Sequence, residues 1–211
     1  MTRIKICGLT TERDVRDAAR MGAWACGFVL SDSPRRVSVP RAAELTPLTG
    51  RALAVAVVTT EDPEWIAEML ADGGFGAVQL SAGADGPTVA EVRAAAKSRA
   101  LRPLVIAAHD TADARSADLC LLDARTADAY GGTGRTLDWK ALARESLPRE
   151  CLILAGGLRP ANVDLAIKLL HPRAVDVSSG VERAPGFKDH KMLRSFFGAV
   201  AGADLSGGAP V

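Results

Sequence analysis

Arg3-Ile4-Lys5-Ile6-Cys7-Gly8-Leu9-Thr10 opens the chain and determines how the rest of it is interpreted. A short run of strand character ends in a cysteine and a glycine, and a helical pattern begins directly afterwards. In proteins built from parallel strands and helices, ligands bind at the carboxyl ends of the strands. The thiol of Cys7 therefore stands where it can act as a nucleophile, a general base or a metal ligand. The alternative is a small buried apolar residue, which is the usual role of a free cysteine.

Short apolar runs of strand character recur along the chain, and helical patterns separate most of them. The eight runs are 3–7, 26–30, 52–58, 77–80, 103–107, 119–122, 151–155 and 174–178. The clearer helical patterns cover 11–21, 62–71, 88–99, 162–170 and 188–201, and weaker ones cover 40–48, 110–117 and 138–143. Alternation of this kind indicates βαβ units around a parallel sheet. Eight units in 211 residues predict an α/β fold, a single (β/α)8 TIM barrel of the phosphate-binding type.

The alternative fold is a doubly wound open sheet. That fold usually has fewer strands, and no G-x-G-x-x-G motif follows the first strand of this chain. We therefore expect a barrel domain over 1–201. Residues 202–211 contain three glycines and a proline without periodicity, which predicts a flexible C-terminal tail.

The composition excludes several classes of function. The formal charge of +1 gives no bulk attraction to nucleic acid or to acidic membranes. The sequence has no apolar run long enough to span a bilayer and no signal-peptide pattern, so we expect a cytoplasmic protein without membrane or nucleic-acid partners. A monomer is the expected state, and a homodimer remains open. The four cysteines have no C-x-x-C spacing and the three histidines are scattered, so no metal site is expected.

Two glycine-bearing segments follow the last two predicted strands. Gly156-Gly157 comes after the seventh strand, and Ser179-Gly180 comes after the eighth. Glycines let backbone N–H groups approach a phosphate closely, and this pair of loops often forms a phosphate site in barrels. The alternative is a pair of plain turns. We expect Gly156, Gly157, Ser179 and Gly180 to bind the phosphate of a small molecule.

A carboxylate ends the sixth predicted strand. Asp123 follows an apolar run and is expected at the same end of the barrel as Cys7. It can act there as a general acid if burial raises its pKa, and its alternative role is to cap the adjacent loop. The segment 130–138, which contains three glycines, is either a flexible cover for the site or a turn.

The order and spacing of these and further motifs identify a resemblance. The motifs are Lys5-Ile6-Cys7-Gly8-Leu9-Thr10, Gly27-Phe28-Val29, Ser33-Pro34-Arg35, Val78-Gln79-Leu80, Leu122-Asp123, Gly131-Gly132-Thr133-Gly134, Asp138-Trp139, Ala155-Gly156-Gly157-Leu158, Asn162-Val163, Asp176-Val177-Ser178-Ser179-Gly180-Val181-Glu182, Pro185-Gly186 and Lys188-Asp189. From Lys5 to Phe197 the chain resembles the phosphoribosylanthranilate isomerases of tryptophan biosynthesis.

The resemblance implies an Amadori rearrangement that needs no metal and no organic cofactor. N-(5-phosphoribosyl)anthranilate would become 1-(2-carboxyphenylamino)-1-deoxyribulose 5-phosphate. Asp123 matches the acid that protonates the ring oxygen, and Cys7 matches the base that removes the proton from C2. Lys5 points to the same face as Cys7 by strand alternation, where it either raises the thiolate fraction or fills a barrel layer.

The resemblance also implies substrate-binding residues. Arg35 matches an arginine near the anthranilate, and a guanidinium pairs well with a carboxylate. Asp176 matches a second position near the anthranilate, with a structural hydrogen bond as its alternative role. Gln79 lies in one of the matching motifs and is assigned to substrate binding. The chain departs from the family at Ser81, where a His-Gly pair is common.

Other functions remain as alternatives. Isomerases of the histidine pathway act on a related aminoaldose phosphate, but they carry an aspartate where Cys7 stands. An isomerase of secondary metabolism that acts on a related aminoaldose phosphate is a further alternative. Indoleglycerol-phosphate synthase needs a lysine-rich catalytic set. A non-catalytic barrel that only binds phosphate is opposed by the presence of Cys7, Asp123 and both glycine segments.

Overall fold

Eight parallel strands close into a barrel, as the sequence predicts. The structure is a computed structural model that describes residues 1–108, 111, 113–123, 139–144 and 149–206. The strands are β1 (Arg3–Ile6), β2 (Ala25–Val29), β3 (Leu53–Val58), β4 (Ala77–Leu80), β5 (Leu104–Ala108), β6 (Leu119–Asp123), β7 (Leu152–Ala155) and β8 (Ala174–Val177). Each strand pairs with its neighbour in the chain, and β8 pairs with β1 to close the barrel.

Helices connect the strands at the predicted places. They are α1 (Glu12–Arg20), α2 (Val39–Leu45), α3 (Pro63–Asp72), α4 (Val89–Ser98), α5 (Trp139–Leu142), α6 (Val163–Leu170) and α7 (His190–Ser206). Several begin with side-chain caps that the sequence supplies, among them Thr11 before α1, Asp62 before α3, and Thr88, which forms a capping box with Glu91. Within the described part of 110–117, the predicted helix is a 3₁₀ turn, Ala114–Ser116. No helix in the described ranges is long and apolar enough to cross a membrane.

Strand alternation divides the buried side chains into two cores. Small and branched residues such as Ala25, Val55 and Ile106 fill the inside of the barrel. Larger side chains such as Phe28 and Phe196 pack between the sheet and the helices. This is the packing expected of a barrel, in which inward positions fill layers and outward positions meet the helices.

A short hairpin follows the last barrel strand. Its strands, β9 (Glu182–Ala184) and β10 (Phe187–Lys188), pair antiparallel. Gly186 adopts a φ of +81° at the turn, a conformation that suits glycine. The hydroxyl of Thr10 donates to the carbonyl of Gly186 at 2.5 Å, which ties the hairpin to the loop after β1. The hairpin therefore lies beside the start of the chain, at the carboxyl ends of the strands.

The end of the chain corrects one expectation. The sequence predicts a flexible tail from 202, but α7 continues to Ser206. Ala203 is buried, and the carboxylate of Asp204 accepts hydrogen bonds from the Thr2 N–H at 2.7 Å and the Thr2 hydroxyl at 2.8 Å. These contacts hold 202–206 as helix despite Gly202. Residues 207–211 lie outside the described residues, so for them the prediction stands untested.

We expect Asp204→Ala to lower the free energy of unfolding by about 1–2 kcal/mol, because it removes two hydrogen bonds that join the chain ends. Chemical denaturation measures this change. The control is Glu44→Ala, which removes an exposed ion pair with Arg41 and should have no measurable effect. Equal stabilities of the Asp204 variant and the unsubstituted protein would show that the last turns of α7 are not anchored.

Candidate active site

One cavity at the carboxyl ends of the strands contains all of the site residues expected from the sequence. It has a volume of about 330 Å³. The predicted residues that line it are Cys7, Arg35, Gln79, Asp123, Gly156, Gly157, Asp176, Ser179 and Gly180. Parallel strands place their carboxyl ends at one rim, so residues far apart in the chain meet there.

Lys5 and Asp176 form a buried ion pair at the bottom of this cavity. The two residues are register partners in β1 and β8, so their side chains leave the sheet on the same face. Lys5 Nζ donates to Asp176 Oδ2 at 2.9 Å. Burial lowers the pKa of Lys5, but the negative charge of Asp176 and the hydrogen bond to its carboxylate outweigh burial and raise the pKa above its usual value. Lys5 is therefore held as an ammonium ion.

One carboxylate oxygen of Asp176 takes no part in the ion pair with Lys5. Oδ1 is buried and accepts no hydrogen bond from the described residues, although the side chain lines the cavity. The bond from Lys5 to Oδ2 shows a structural role for Asp176, whereas its role in binding a ligand stays a prediction for Oδ1. A buried acceptor without a donor is unfavourable, and a bound ligand can supply the donor.

The thiol of Cys7 lies next to this ion pair. Burial raises the pKa of Cys7, and the neighbouring Lys5 opposes the rise without cancelling it. The expected cationic neighbour is present, but desolvation is the larger effect. Cys7 is therefore a protonated thiol at neutral pH.

Gly27 makes room for the pair of Lys5 and Cys7. A Cβ at position 27 would lie 3.1 Å from both Cys7 Sγ and Lys5 Nζ. A larger residue on β2 would force one of these groups away from its position. Gly27 is thus needed because it leaves space for the side chains of the site, and it does not form a turn.

The two glycine segments meet at one side of the cavity. Gly156 and Gly157 have φ values of +86° and +66°, which side chains rarely adopt. A Cβ at Gly180 would lie 1.8 Å from the carbonyl oxygen of Leu158. Gly180 is thus required for the contact between the two loops, whereas the sequence argument assigned it to the approach of a phosphate. Within the described residues, the N–H groups of Gly157 and Gly180 donate to no protein acceptor.

Asp123 and Gln79 occupy other parts of the wall. Asp123 ends β6 half-buried and is close enough to Asp176 for their charges to interact. The side-chain amide of Gln79 donates to the hydroxyl of Ser81 at 3.0 Å, and its own oxygen is buried without a described partner. Ser81, the departure from the family pattern, therefore orients Gln79. The glycine-bearing segment 130–138, considered as a cover, lies outside the described residues.

Arg35 lines the cavity, whereas its neighbour Arg36 is exposed. Glu182 accepts from Arg35 Nε at 2.9 and 3.1 Å and from Nη2 at 2.7 Å. Gly8 has a φ of +71°, and a Cβ there would lie 2.5 Å from Arg35 Cδ. The glycine after Cys7 is thus needed both for its backbone conformation and for the path of the Arg35 side chain.

Sequence reasoning missed the buried ammonium of Lys188. Its Nζ donates to the Cys7 carbonyl at 2.6 Å, to the Ser178 carbonyl at 3.3 Å and to Glu182 at 2.7 Å. Lys188 and Glu182 both stand in motifs that carry the resemblance, but no periodicity indicates that either is buried. Their place in the matching motifs was the signal that could have identified them.

Comparison with known proteins places the chain in a family. Residues 4–199 match the family model described as N-(5'phosphoribosyl)anthranilate (PRA) isomerase. The chain belongs to the phosphoribosylanthranilate isomerase family. The curated N-(5'-phosphoribosyl)anthranilate isomerase of Trichlorobacter lovleyi is 40% identical over 200 residues, which cover 93% of this chain and 96% of the relative.

Solved structures of this family have the same fold. Phosphoribosyl anthranilate isomerase in complex with reduced 1-(o-carboxyphenylamino)-1-deoxyribulose 5-phosphate is 33% identical, with a TM-score of 0.76 and coverage of 96% of this chain and 100% of that one. Monomers generated from the dimeric enzyme of Thermotoga maritima are 32% identical, with a TM-score of 0.78 and the same coverage. The resemblance and the TIM-barrel prediction are thus confirmed.

We expect Gly180→Ala to separate the two loops of this isomerase-family barrel, because its Cβ cannot coexist with the Leu158 carbonyl. Such a displacement should lower kcat/KM by up to about a hundredfold and weaken binding of inorganic phosphate. The control is Gly198→Ala in α7, where a Cβ meets nothing within 4 Å. Steady-state kinetics and calorimetric titration measure both effects, and unchanged phosphate affinity in Gly180→Ala would contradict the loop contact.

Alkylation by iodoacetamide tests the state of Cys7. Because burial raises its pKa, the rate should reach half its maximum at a higher pH than for glutathione, and below that pH it should fall about tenfold per pH unit. Mass spectrometry of tryptic peptides follows each cysteine separately. Cys26, whose pKa burial raises to about 12, is the internal control for an inaccessible thiol. A midpoint for Cys7 at or below that of glutathione would contradict the assignment.

Proposed function

We propose that this protein converts N-(5-phosphoribosyl)anthranilate into 1-(2-carboxyphenylamino)-1-deoxyribulose 5-phosphate, with Asp123 as general acid and Cys7 as general base. One observation carries the proposal. A thiol directly after β1 and a carboxylate at the end of β6 line the same cavity, which is also lined by two glycine loops and an arginine. Family membership supports the overall reaction, and the cavity supports the division of roles.

The phosphate would bind between the two glycine loops. Gly156 and Gly157 lie on one side and Ser179 and Gly180 on the other, with backbone N–H groups that have no acceptor in the described protein. A phosphate accepts several such hydrogen bonds at once. Binding there would fix one end of the substrate and extend the ribose over the bottom of the barrel, between Cys7 and Asp123.

Ring opening requires a proton on the ring oxygen of the ribose. Asp123, at the end of β6, would donate it, which breaks the bond between C1 and the ring oxygen and leaves a protonated imine between C1 and the anthranilate nitrogen. Asp123 and Asp176 line the same cavity and are close enough for their charges to interact.

The second step is removal of the proton from C2. The protonated imine makes this proton acidic, so a base of moderate strength is sufficient. The thiolate fraction of Cys7, which is small at neutral pH because burial raises the pKa of the thiol, would take the proton after releasing its own proton to solvent. Lys5 stabilises this thiolate across their contact. The electron pair of the C2–H bond then forms the C1–C2 double bond, and the imine nitrogen is neutralised. The resulting enolamine tautomerises to the ketone.

The remaining polar groups would orient the aromatic part. Arg35 supplies a guanidinium for the carboxylate of anthranilate, and Asp176 Oδ1 and the Gln79 oxygen are acceptors without described partners. Acceptors of this kind suit the substrate's hydroxyl and N–H groups.

We expect Cys7→Ser and Asp123→Asn each to lower kcat by about 10²–10⁴-fold, because each removes the group that moves a proton. Loss of the fluorescence of freshly prepared N-(5-phosphoribosyl)anthranilate measures turnover. Both variants should still bind reduced 1-(o-carboxyphenylamino)-1-deoxyribulose 5-phosphate, since its phosphate and carboxylate contacts remain. Cys26→Ser is the matched control on the neighbouring strand. Near-normal turnover by either site variant would reject the role of that residue.

A further inference from the structure

Glu182 stands between two cations at the edge of the proposed site, and the proposed reaction assigns it no role. Its carboxylate binds Arg35 through Nε and Nη2 and binds Lys188 Nζ at 2.7 Å. The Glu182 side chain is 4% exposed and that of Lys188 is fully buried, whereas Arg35 is 20% exposed. The group in contact with the cavity is therefore Arg35, and the other two lie behind it.

The geometry of the pairing fixes the direction of the guanidinium. Glu182 occupies the edge of the guanidinium formed by Nε and one hydrogen of Nη2. A guanidinium is planar and carries five N–H donors, so the edge that includes Nη1 remains for a second planar acceptor. A bidentate contact on one edge orients the other, because the plane has no freedom left to rotate.

The charges decide whether Arg35 can still attract an anion. A carboxylate alone would cancel the positive charge of Arg35. Lys188 also binds Glu182. Burial lowers the pKa of Lys188, and the hydrogen bond and charge of Glu182 oppose this, so that with Lys188 as an ammonium ion the three groups carry one net positive charge. Burial raises the pKa of Glu182, but hydrogen bonds from Arg35 and Lys188 outweigh this and lower it, which keeps Glu182 ionised at neutral pH. Without Glu182, the two cations would repel each other, since Arg35 and Lys188 are close enough for their charges to interact.

We propose that Glu182 is a positioning residue that holds Arg35 in the orientation needed to bind the aromatic carboxylate of the substrate. Lys188 offsets the negative charge of Glu182. The inference rests on the proposed role of Arg35 in the function above. It makes recognition of the carboxylate depend on the hairpin that contains both Glu182 and Lys188, as well as on Arg35 itself.

A purely structural role for Glu182 predicts a different outcome. Lys188 also donates to the carbonyl groups of Cys7 and Ser178. Loss of Glu182 could therefore disturb the base and the phosphate loop through Lys188. Damage of that kind would affect every phosphorylated substrate equally, whether or not it carries a carboxylate.

The test compares two substrates, N-(5-phosphoribosyl)anthranilate and N-(5-phosphoribosyl)aniline, which lacks the carboxylate. Glu182→Gln keeps the size of the side chain and an oxygen for Lys188, but it cannot accept both hydrogen bonds from Arg35. We expect kcat/KM for the anthranilate substrate to fall about ten- to hundredfold, mainly through KM. The value for the aniline substrate should remain within about twofold of the unsubstituted protein. Glu44→Gln, an exposed partner of Arg41, is the control and should affect neither substrate.

Two further variants distinguish a wrong role for Arg35 from a wrong role for Glu182. Arg35→Ala should show the same selective loss, and in its background Glu182→Gln should add no further loss for the anthranilate substrate. If Arg35→Ala lowers kcat/KM equally for both substrates, the proposed role of Arg35 is wrong. If Arg35→Ala is selective but Glu182→Gln lowers both substrates equally or lowers neither, the positioning role of Glu182 is wrong.

A folding control completes the experiment. Circular dichroism and thermal unfolding are measured for every variant. If Glu182→Gln does not fold, Glu182→Asp replaces it. The shorter side chain keeps the charge near Lys188 but withdraws from Arg35, so the same selective loss is expected, and a loss that is equal for both substrates would overturn the proposal.

Discussion

The pairing of the first strand with the last is the constraint on which the site depends. β1 and β8 are joined in a register that sets Lys5 opposite Asp176, residues separated by 171 positions in the chain. The N–H of Cys7 continues this ladder by donating to the Val177 carbonyl at 2.9 Å. Closing the barrel removes two sheet edges. The same pairing brings together the thiol of Cys7, the ion pair of Lys5 and Asp176, and the start of the glycine loop after β8.

The fold could be predicted from the sequence because the signals were local and repeated. Strand boundaries differ from the predicted runs by one residue at most, since apolar runs and caps determine them. The weakest helical pattern, over 110–117, was the least accurate, and the tail from 202 was predicted from its glycines, its proline and its lack of periodicity. The bonds between Asp204 and Thr2 join opposite ends of the chain, and no local pattern reveals such a contact.

The site could be predicted only in part. Side chains at strand ends share one rim in any barrel, so the meeting of Cys7 and Asp123 in one cavity followed from the fold. The burial of Lys188 did not, because lysine is almost always exposed and its strand has two residues. The contact that requires a glycine at position 180 could not be predicted either, because a glycine in a loop does not indicate which backbone segment packs against it. Resemblance marked these positions without explaining them.

The protonated state of Cys7 has a consequence for the lifetime of the protein. Oxidation by peroxides begins with the thiolate, and its later stages are irreversible. A cysteine that stayed ionised would be exposed to this damage between turnovers. Because burial outweighs the influence of Lys5, Cys7 rests in the form that peroxides attack slowly. The desolvation that keeps the thiol of Cys7 protonated thus also preserves the sulfur for later use.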